Sequence, residues 1–95
     1  MPVCVLREHL VDYDAWRKGF YAHLDANAAQ LESAGVALEA VYRDADDPNA
    51  ILTMIRFASR EQGEAMLADP ASRAAMEANG TDLRTLRVEW YEDPS

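Results

Sequence analysis

The chain has 95 residues, enough for one domain with a single modest hydrophobic core, and we expect that domain to span residues 1–95. Its 17 acidic and 9 basic residues give a net charge of -8. This charge opposes the attraction to phosphate on which binding to nucleic acids and anionic lipids depends. We therefore expect neither a nucleic acid nor a membrane as a partner.

The amino-terminal segment and the single cysteine indicate a compartment. Residues 1–10, MPVCVLREHL, lack the basic start and the apolar core of a secretion signal, and no apolar run is long enough to cross a membrane. Cys4 has no second cysteine with which to form an internal disulfide. We therefore expect a cytoplasmic protein in which Cys4 is a small buried hydrophobic residue rather than a reactive thiol.

The first third of the chain predicts a strand followed by a helix. Residues 2–10 are rich in aliphatic and β-branched side chains, as in a strand. Asp12 is suited to cap a helix and Gly35 to end it, so we predict one helix between them. Apolar residues recur at helical spacing, with His23 and Asn27 on or beside their stripe. The stripe consists of Tyr13, Trp16, Phe20, Leu24 and Leu31.

Two strand-length runs, residues 36–43 and 50–57, flank the polar segment DADDPN at 44–49. Aspartate side chains, Pro48 and Asn49 are all typical of a turn. A calcium-binding loop would instead need the pattern D-x-D-x-D-G-x5-E, which the segment does not contain. We therefore interpret the segment as the loop of a hairpin rather than as a cation site.

The last third of the chain predicts a second helix and a fourth strand. Ser59 and Gln62 form an S-x-x-Q capping box, and Asp69 and Pro70 interrupt and restart the helix, which then runs to Gly80. Residues 81–92 alternate between two unlike faces, as in a strand. The order β-α-β-β-α-β predicts an α+β ferredoxin-like sandwich, with a four-stranded antiparallel sheet and two helices on one face.

The face of that sheet without helices would expose apolar side chains to water. They would be several of Val3, Val5, Val41, Leu52, Met54, Leu86 and Val88. Two-fold pairing with a second copy would bury them, and this favours a homodimer. The alternative is a monomer with a half-polar open face, because charged residues are dispersed among the strands. These are Arg7, Glu39, Arg43, Arg56 and Arg87.

Four segments give the chain a resemblance to a known superfamily. They are DYDAWRKGFYAH at 12–23, AGV at 34–36, VYRDADDPNAI at 41–51 and DPASRAAMEANG at 69–80. With them the chain resembles the dimeric α+β barrel superfamily, which includes the antibiotic biosynthesis monooxygenases, and within it a group of short, cyclase-like bacterial proteins. The first strand of that family often ends in a His eight residues before the Trp. Here Glu8 holds that position, and His9 is its neighbour.

The resemblance implies two sheets packed face to face as a barrel in a homodimer. It also implies a small-molecule pocket in each subunit, between the sheet and the helices. Activities in the superfamily include cofactor-independent oxygenation of aromatic polyketides, haem degradation and isomerisation, and the fold does not select among them.

The candidate pocket residues are four aromatic side chains and one imidazole. Trp16, Phe20, Tyr42 and Trp90 are candidate ligand-binding residues, because together they could hold a planar ligand by stacking. His23 is the candidate acid/base catalyst, because it is the imidazole close to the apolar stripe. In the alternative interpretation the aromatic residues form only core, and His23 is a half-buried structural residue.

The patterns of metal and nucleophile chemistry are absent from the sequence. With two His and one Cys the chain has no H-x-x-x-H or C-x-x-C pair, no G-x-S-x-G elbow and no glycine-rich phosphate loop. We therefore expect neither a metal nor a cofactor. Arg43 and Arg56 could clamp a substrate carboxylate or could pair with acids such as Glu39 and Glu89.

These observations lead to two functional hypotheses. In the first, the protein is a monooxygenase-like dimeric α+β barrel that binds a small planar metabolite, phenolic or polyketide-like, and oxygenates or cyclises it without a cofactor. In the second, it is a non-catalytic dimeric module that binds a small ligand or has a stress-related role. The sequence leaves both hypotheses open.

Overall fold

A computed structural model describes residues 1–94 of the chain. The elements in chain order are β1 (Val3–Leu10), α1 (Tyr13–Ala26), α2 (Ala28–Ala34), β2 (Ala37–Arg43), β3 (Ala50–Arg56), α3 (Arg60–Ala68), α4 (Pro70–Ala78) and β4 (Thr81–Tyr91). The strands form one four-stranded sheet in the order β2-β3-β1-β4, and every neighbouring pair is antiparallel. This is the ferredoxin-like arrangement, so the predicted α+β fold class is confirmed.

The helices begin at the predicted cap residues. The Asp12 carboxylate accepts a hydrogen bond of 3.1 Å from a backbone N–H in the first turn of α1, and the Ser59 hydroxyl accepts one of 3.1 Å at the start of α3. Asp69 caps α4, and Pro70 is its first residue. Each cap satisfies an N–H group that the first turn of a helix leaves without a partner, which is why these boundaries could be predicted.

The single helix predicted between Asp12 and Gly35 is wrong, because the structure divides it at Asn27. The backbone of Asn27 leaves the helical region, with φ -114° and ψ 14°. Its backbone N–H and its side-chain Nδ2 both donate to the carbonyl of His23, at 3.1 and 2.9 Å. An Asn side chain that bonds the backbone locally competes with helix continuation, so α1 ends and α2 begins. Gly35 ends α2 with φ 74°, a left-handed conformation that suits glycine.

The loop between β2 and β3 uses its acidic residues to hold the backbone, which confirms the hairpin. Asp44 Oδ1 accepts the N–H groups of two following loop residues at 2.8 and 2.9 Å, and Asp47 Oδ1 accepts that of Asn49 at 3.0 Å. Asn49 in turn accepts hydrogen bonds from Leu10 and Tyr13, at 2.7 and 3.0 Å. The loop therefore also fixes the connection between β1 and α1.

The two faces of the sheet differ in what covers them. The helices pack on the face that carries Cys4, Leu6 and Leu10, together with Ile51 and Ile55. By strand alternation and register, the open face carries Val3, Val5, Leu52 and Met54. Three residues considered for the open face lie instead on the helix-covered face. These are Val41 and Leu86, which pack against the core, and Val88, which pairs with Leu6.

Cys4 lies in the core, as predicted, with no exposed surface. Burial raises the pKa of its thiol to about 11, because the thiolate would lose its hydration. The residue therefore acts as a small apolar side chain. In the part of the chain that the structure describes, no helix is long and apolar enough to cross a membrane.

Candidate functional site

A cavity of about 320 Å³ lies between the sheet and the helices. This volume is at the small end of the range for small-molecule pockets, which is roughly 300–1,000 Å³. Helices α1 to α4 all contribute to its lining, together with all four strands. Most of the lining is apolar, including Trp16, Phe20, Leu24, Leu31, Ile55 and Met76.

One wall of the cavity is a pair of stacked aromatic rings. Trp16 and Phe20 are one helical turn apart on α1, a spacing that places two side chains on the same face. Their ring centres are 4.7 Å apart and their planes differ by 14°. Trp16 is only 3% exposed, so its ring is held by its surroundings. The pair offers a flat apolar surface to a planar ligand.

Two buried side chains that line the cavity each have an oxygen atom with no hydrogen-bond partner in the described part of the chain. Glu8 is 7% exposed and Thr53 is 2% exposed. Within residues 1–94, neither Glu8 Oε2 nor Thr53 Oγ1 has a partner. In the β1–β3 register Glu8 pairs with Ile51 and Leu6 pairs with Thr53, so Glu8 and Thr53 leave the same face of adjacent strands. Both line the cavity and form its polar floor.

An irregularity in the sheet accompanies Glu8. Arg7 pairs with Arg87 on β4, but His9 pairs with Asp82, so residues 83–86 lie opposite Glu8 alone. The hydroxyl of Thr85, within this segment, accepts the N–H of His9 at 2.9 Å. Such bulges bend a strand, re-aim side chains and are frequent beside active sites.

The environment of Glu8 changes its acidity. Burial raises the pKa of its carboxyl from 4.5 to about 7, because the ionised form loses its hydration in the apolar cavity. Near neutral pH the protonated and ionised forms are therefore both populated. Such a carboxyl can accept a proton from a bound molecule or donate one to it.

The structure brings together three of the five predicted site residues. Trp16, Phe20 and His23 line the cavity. His23 is exposed at the mouth, and its Nδ1 lies 3.4 Å from Asn27 Nδ2. Tyr42 and Trp90 do not line this cavity, so the predicted grouping of all five residues around one ligand is corrected.

The separation of these two aromatic residues has a geometric cause. The register of β2 and β3 shifts between Leu38 and Ala40, and Tyr42 pairs with Leu52 on the open face, where it is 62% exposed. Trp90 lies on the helix-covered face but at the other end of β1, opposite Cys4. There its ring packs against Phe57, with 5.7 Å between the ring centres.

The two arginines considered as a carboxylate clamp make contacts within the chain. Arg56 forms ion pairs with Glu39 and with Asp93, the latter at 2.8 Å. Arg43 donates from Nε to the carbonyl of Pro48 at 2.8 Å. Its guanidinium also lies 4.1 Å from the ring centre of Tyr13, a cation–π arrangement. The ion-pair alternative therefore describes Arg56, and Arg43 holds the hairpin loop.

A more open depression of about 400 Å³ lies at the same end of the sheet, and its lining includes both Glu8 and Tyr42. Seven of its ten lining residues have polar side chains, and some of these are paired within the chain. Arg7 pairs with Glu89 at 2.8 Å and His9 with Asp47 at 3.5 Å. Among residues 1–94, no three His, Cys, Asp or Glu side chains are grouped so that they could hold a metal ion.

Sequence reasoning did not include Glu8 among the site residues, although a signal for it was present. Along β1 the side chains of Cys4, Leu6, Glu8 and Leu10 alternate onto one face, and Glu8 is the charged member of an otherwise apolar set. An acid in that position is either paired or functional.

No family model and no curated protein sequence matches the chain. Solved structures do match it. A protein from Deinococcus radiodurans, provisionally assigned as an antibiotic biosynthesis monooxygenase, is 21% identical with a TM-score of 0.66, over 100% of this chain and 94% of that one. SnoaB from Streptomyces nogalater, a cofactor-independent oxygenase, is 14% identical in a mutant form with a TM-score of 0.69, over 99% of this chain and 93% of that one.

A NIPSNAP domain protein from Burkholderia xenovorans is also similar, at 11% identity and a TM-score of 0.60, over 100% of this chain and 96% of that one. Sequence identities this low establish a shared fold and leave the activity to be argued from the site. The chain therefore has the fold of the antibiotic biosynthesis monooxygenases, which confirms at the level of the fold the resemblance noted in its sequence.

Proposed function

We propose that the cavity between the sheet and the helices binds a small, planar, mostly apolar metabolite, and that the protein oxygenates or cyclises it without a cofactor. The observation that carries this proposal is the cavity of about 320 Å³ with the stacked rings of Trp16 and Phe20 as one wall. The fold shared with SnoaB, a cofactor-independent oxygenase, supports the same class of chemistry.

Oxygenation without a metal or a flavin requires a substrate that itself supplies the electrons. Loss of a proton from a phenol or an activated C–H gives an electron-rich anion, which can transfer an electron to dioxygen. The protein then has three tasks: to orient the ring, to exclude water and to accept the proton. Trp16 and Phe20 would orient the ring. His23 at the mouth and Glu8 on the floor are the lining groups that can accept a proton.

The second candidate is a non-catalytic module that binds a ligand in the same cavity. The position of His23 favours it, because an exposed imidazole at the mouth is poorly placed to act on a buried ring. Under this alternative a ligand stabilises the protein, and no chemical change of the ligand follows.

Binding can be tested through the fluorescence of Trp16. The chain has two tryptophans, so a Trp90→Phe variant leaves Trp16 as the single reporter. We would screen this variant against planar phenols, quinones, hydroxylated anthrones and haem, by quenching and by thermal shift. We expect quenching and a raised Tm with at least one of these classes. The matched control is Tyr42→Phe, which lies outside the cavity and should leave the hit unchanged.

Oxygen consumption by the compound that binds then separates the two candidates. Consumption that requires the protein supports the oxygenase, whereas a change in the compound's absorption spectrum without oxygen uptake supports cyclisation. Binding with neither change supports the non-catalytic module. No binding across the whole panel would refute the proposal that the cavity is a ligand site.

We also infer that the open face of the sheet packs against a second copy of the chain. Leu52 and Met54 are half-buried on this face, and two of its aromatic residues, Tyr42 and Tyr91, are 62% and 52% exposed. Val5, on the same face, is already buried within the chain. An apolar patch of this kind is usually covered. Sedimentation at micromolar concentration should show a dimer, and Leu52→Asp should dissociate it. A wild-type species of 10.6 kDa would refute the dimer.

A further inference from the structure

The floor of the cavity holds two polar atoms that the protein itself leaves without hydrogen bonds. Glu8 Oε2 and Thr53 Oγ1 are both buried, and neither has a partner among residues 1–94. Buried polar atoms are nearly always paired, because an unpaired one loses its hydration without compensation. Two such atoms on adjacent strands, both facing one cavity, indicate a site that a ligand completes.

We propose that Glu8 takes an acidic proton from the inner end of the bound ligand and that the Thr53 hydroxyl holds the ligand oxygen beside that proton. This inference rests on the proposed function and adds to it the two residues that act at the reacting end. The ligand class is a planar ketone with an acidic adjacent C–H, or its enol or phenol equivalent. Its apolar remainder would lie toward Trp16 and Phe20.

The chemistry of the two side chains is complementary to such a ligand. An ionised carboxylate only accepts hydrogen bonds, whereas a threonine hydroxyl can donate one to a carbonyl oxygen. In the step itself, the C–H bond breaks, the proton joins Glu8, and the electron pair moves onto the ligand oxygen. The hydroxyl of Thr53 then donates to an enolate oxygen, which is a stronger acceptor than the original ketone.

The surroundings of Glu8 make it a stronger base than an exposed carboxylate. Burial raises its pKa to about 7, closer to the pKa of a phenol or an activated C–H. Of the described residues that line the cavity, Glu8 and His23 are the two with an acid or base in the side chain. The charged or titratable groups that border Glu8 from the more open depression are Arg7, His9, Tyr42, Arg43 and Asp44.

His23 is less suited to this step than Glu8. It is exposed at the mouth of the cavity, on α1, and its Nδ1 lies near the Asn27 side chain. Glu8 is buried and leaves the sheet where the bulge between β1 and β4 interrupts the ladder. A ligand that fills the cavity would present its inner end to Glu8 and its outer end to His23.

The test follows hydrogen exchange in 2-tetralone, a bicyclic ketone with acidic C–H groups. In deuterium oxide, each transfer to a base and back replaces hydrogen by deuterium, which mass spectrometry counts without any oxygen chemistry. We expect wild-type protein to accelerate exchange above the buffer rate in a saturable way. The rate should rise with pH to a plateau as Glu8 ionises, with a midpoint near its pKa of about 7.

Variants identify the groups responsible. Glu8→Gln keeps the shape of the side chain but removes the base, and should reduce the exchange rate by roughly a hundredfold or to the buffer rate. Glu8→Asp keeps an acid and should retain part of the rate with its pH dependence. Thr53→Val should lower the rate roughly tenfold without moving the midpoint. Glu77→Gln, an exposed acid on α4, is the matched control and should have no effect.

Binding of 2-methoxynaphthalene, which has no acidic proton, separates this inference from the proposed function. We expect wild type and Glu8→Gln to bind it equally. Suppose that wild type binds 2-methoxynaphthalene. If exchange is then unchanged in Glu8→Gln, or if wild type shows no exchange, the role of Glu8 is refuted and the ligand site is still supported. Failure of wild type to bind either compound would overturn this inference, and failure to bind the whole panel as well would overturn the proposed function.

Discussion

The layer between the sheet and the helices has two ends that are packed in opposite ways. At the sealed end, defined by Cys4, Phe57, Gly63 and Trp90, a Cβ built on Gly63 would lie 2.2 Å from the Trp90 ring. At the cavity end, defined by Glu8, Trp16, Phe20 and Thr53, about 320 Å³ is left open and two polar atoms have no partner among residues 1–94. Each end contains an aromatic pair with one buried and one half-buried ring, so composition alone does not distinguish the two ends.

The two ends differ in how closely they follow the packing rules of a protein core. Dense packing maximises contacts and area removed from water, and the sealed end follows that rule. The cavity end forgoes contacts and buries an acid whose ionised form is unfavourable there. Regions that break packing rules without a structural gain are where function is expected. The two ends should therefore respond differently to matched substitutions.

Removal of each tryptophan should give the largest effects. Trp16→Ala should lower the free energy of unfolding by roughly 3 to 5 kcal/mol, as for a buried aromatic residue, and urea titration measures this. Trp90→Ala should lower it by less, because the Trp90 ring is half-buried. Only Trp16→Ala should also weaken the binding of 2-methoxynaphthalene, measured by calorimetry, because only Trp16 lines the cavity. Equal loss of binding in a folded Trp90→Ala variant would place the ligand elsewhere.

The next largest effect concerns the pH dependence of stability at Glu8. Its pKa is raised from 4.5 in the unfolded chain to about 7 in the folded one. The stability that depends on its protonation is present below about pH 4.5 and is lost as the pH rises to about 7. The loss corresponds to about 3 kcal/mol at higher pH.

Glu8→Gln should remove that loss. The variant should therefore unfold with a free energy close to that of wild type at about pH 4.5, and about 3 kcal/mol above it at about pH 8. Comparison of the two proteins at each pH cancels the opposite contributions of paired acids such as Asp82 and Asp93, whose pKa values are lowered by Arg84 and Arg56. If the difference in unfolding free energy between the two proteins is the same at every pH, Glu8 is either exposed or paired in the folded protein.

Substitution of two glycines by alanine tests the packing of the two ends with smaller expected changes in stability. Gly63→Ala would press a methyl group against the rings of Trp90 and Phe57, at 2.2 and 3.0 Å. Overpacking should outweigh the gain in helix propensity and lower stability by about 1–2 kcal/mol. A methyl group at position 19 would meet the side chain of Asn79 at 2.3 Å, and that side chain can rotate away. Gly19→Ala should therefore be neutral or stabilising by up to about 1 kcal/mol. If the two substitutions change the stability equally in thermal unfolding, the two ends do not differ in packing.

The fold could be predicted because its signals are local. The caps at Asp12, Ser59 and Asp69 and the loop before β3 depend on neighbouring residues only, and each formed as expected. The break at Asn27 was missed because an Asn at a polar helix position also occurs in continuous helices. Its competition with the backbone depends on the hydrogen bond that its side-chain amide donates to the carbonyl of His23.

The site could be predicted only in part, for a related reason. Trp16 and Phe20 share a face because they share a helix, so their spacing was sufficient. The orientation of Tyr42 depends on a register shift within β2, and the isolation of Glu8 depends on the segment that β4 places opposite it. Such features arise when strands pair, and no short stretch of sequence encodes them.

The smallest expected effect distinguishes the proton acceptor predicted from the sequence from the one inferred from the structure. His23 is exposed at the mouth, so His23→Ala should change the free energy of unfolding by no more than about 0.5 kcal/mol. It should also change 2-tetralone exchange by less than roughly threefold, because in the inferred binding mode the acidic proton lies beside the buried Glu8 and not beside the exposed imidazole. If His23→Ala abolishes exchange and Glu8→Gln does not affect it, the imidazole of His23 is the proton acceptor. The buried carboxyl of Glu8 would then destabilise the fold without serving the proposed chemistry.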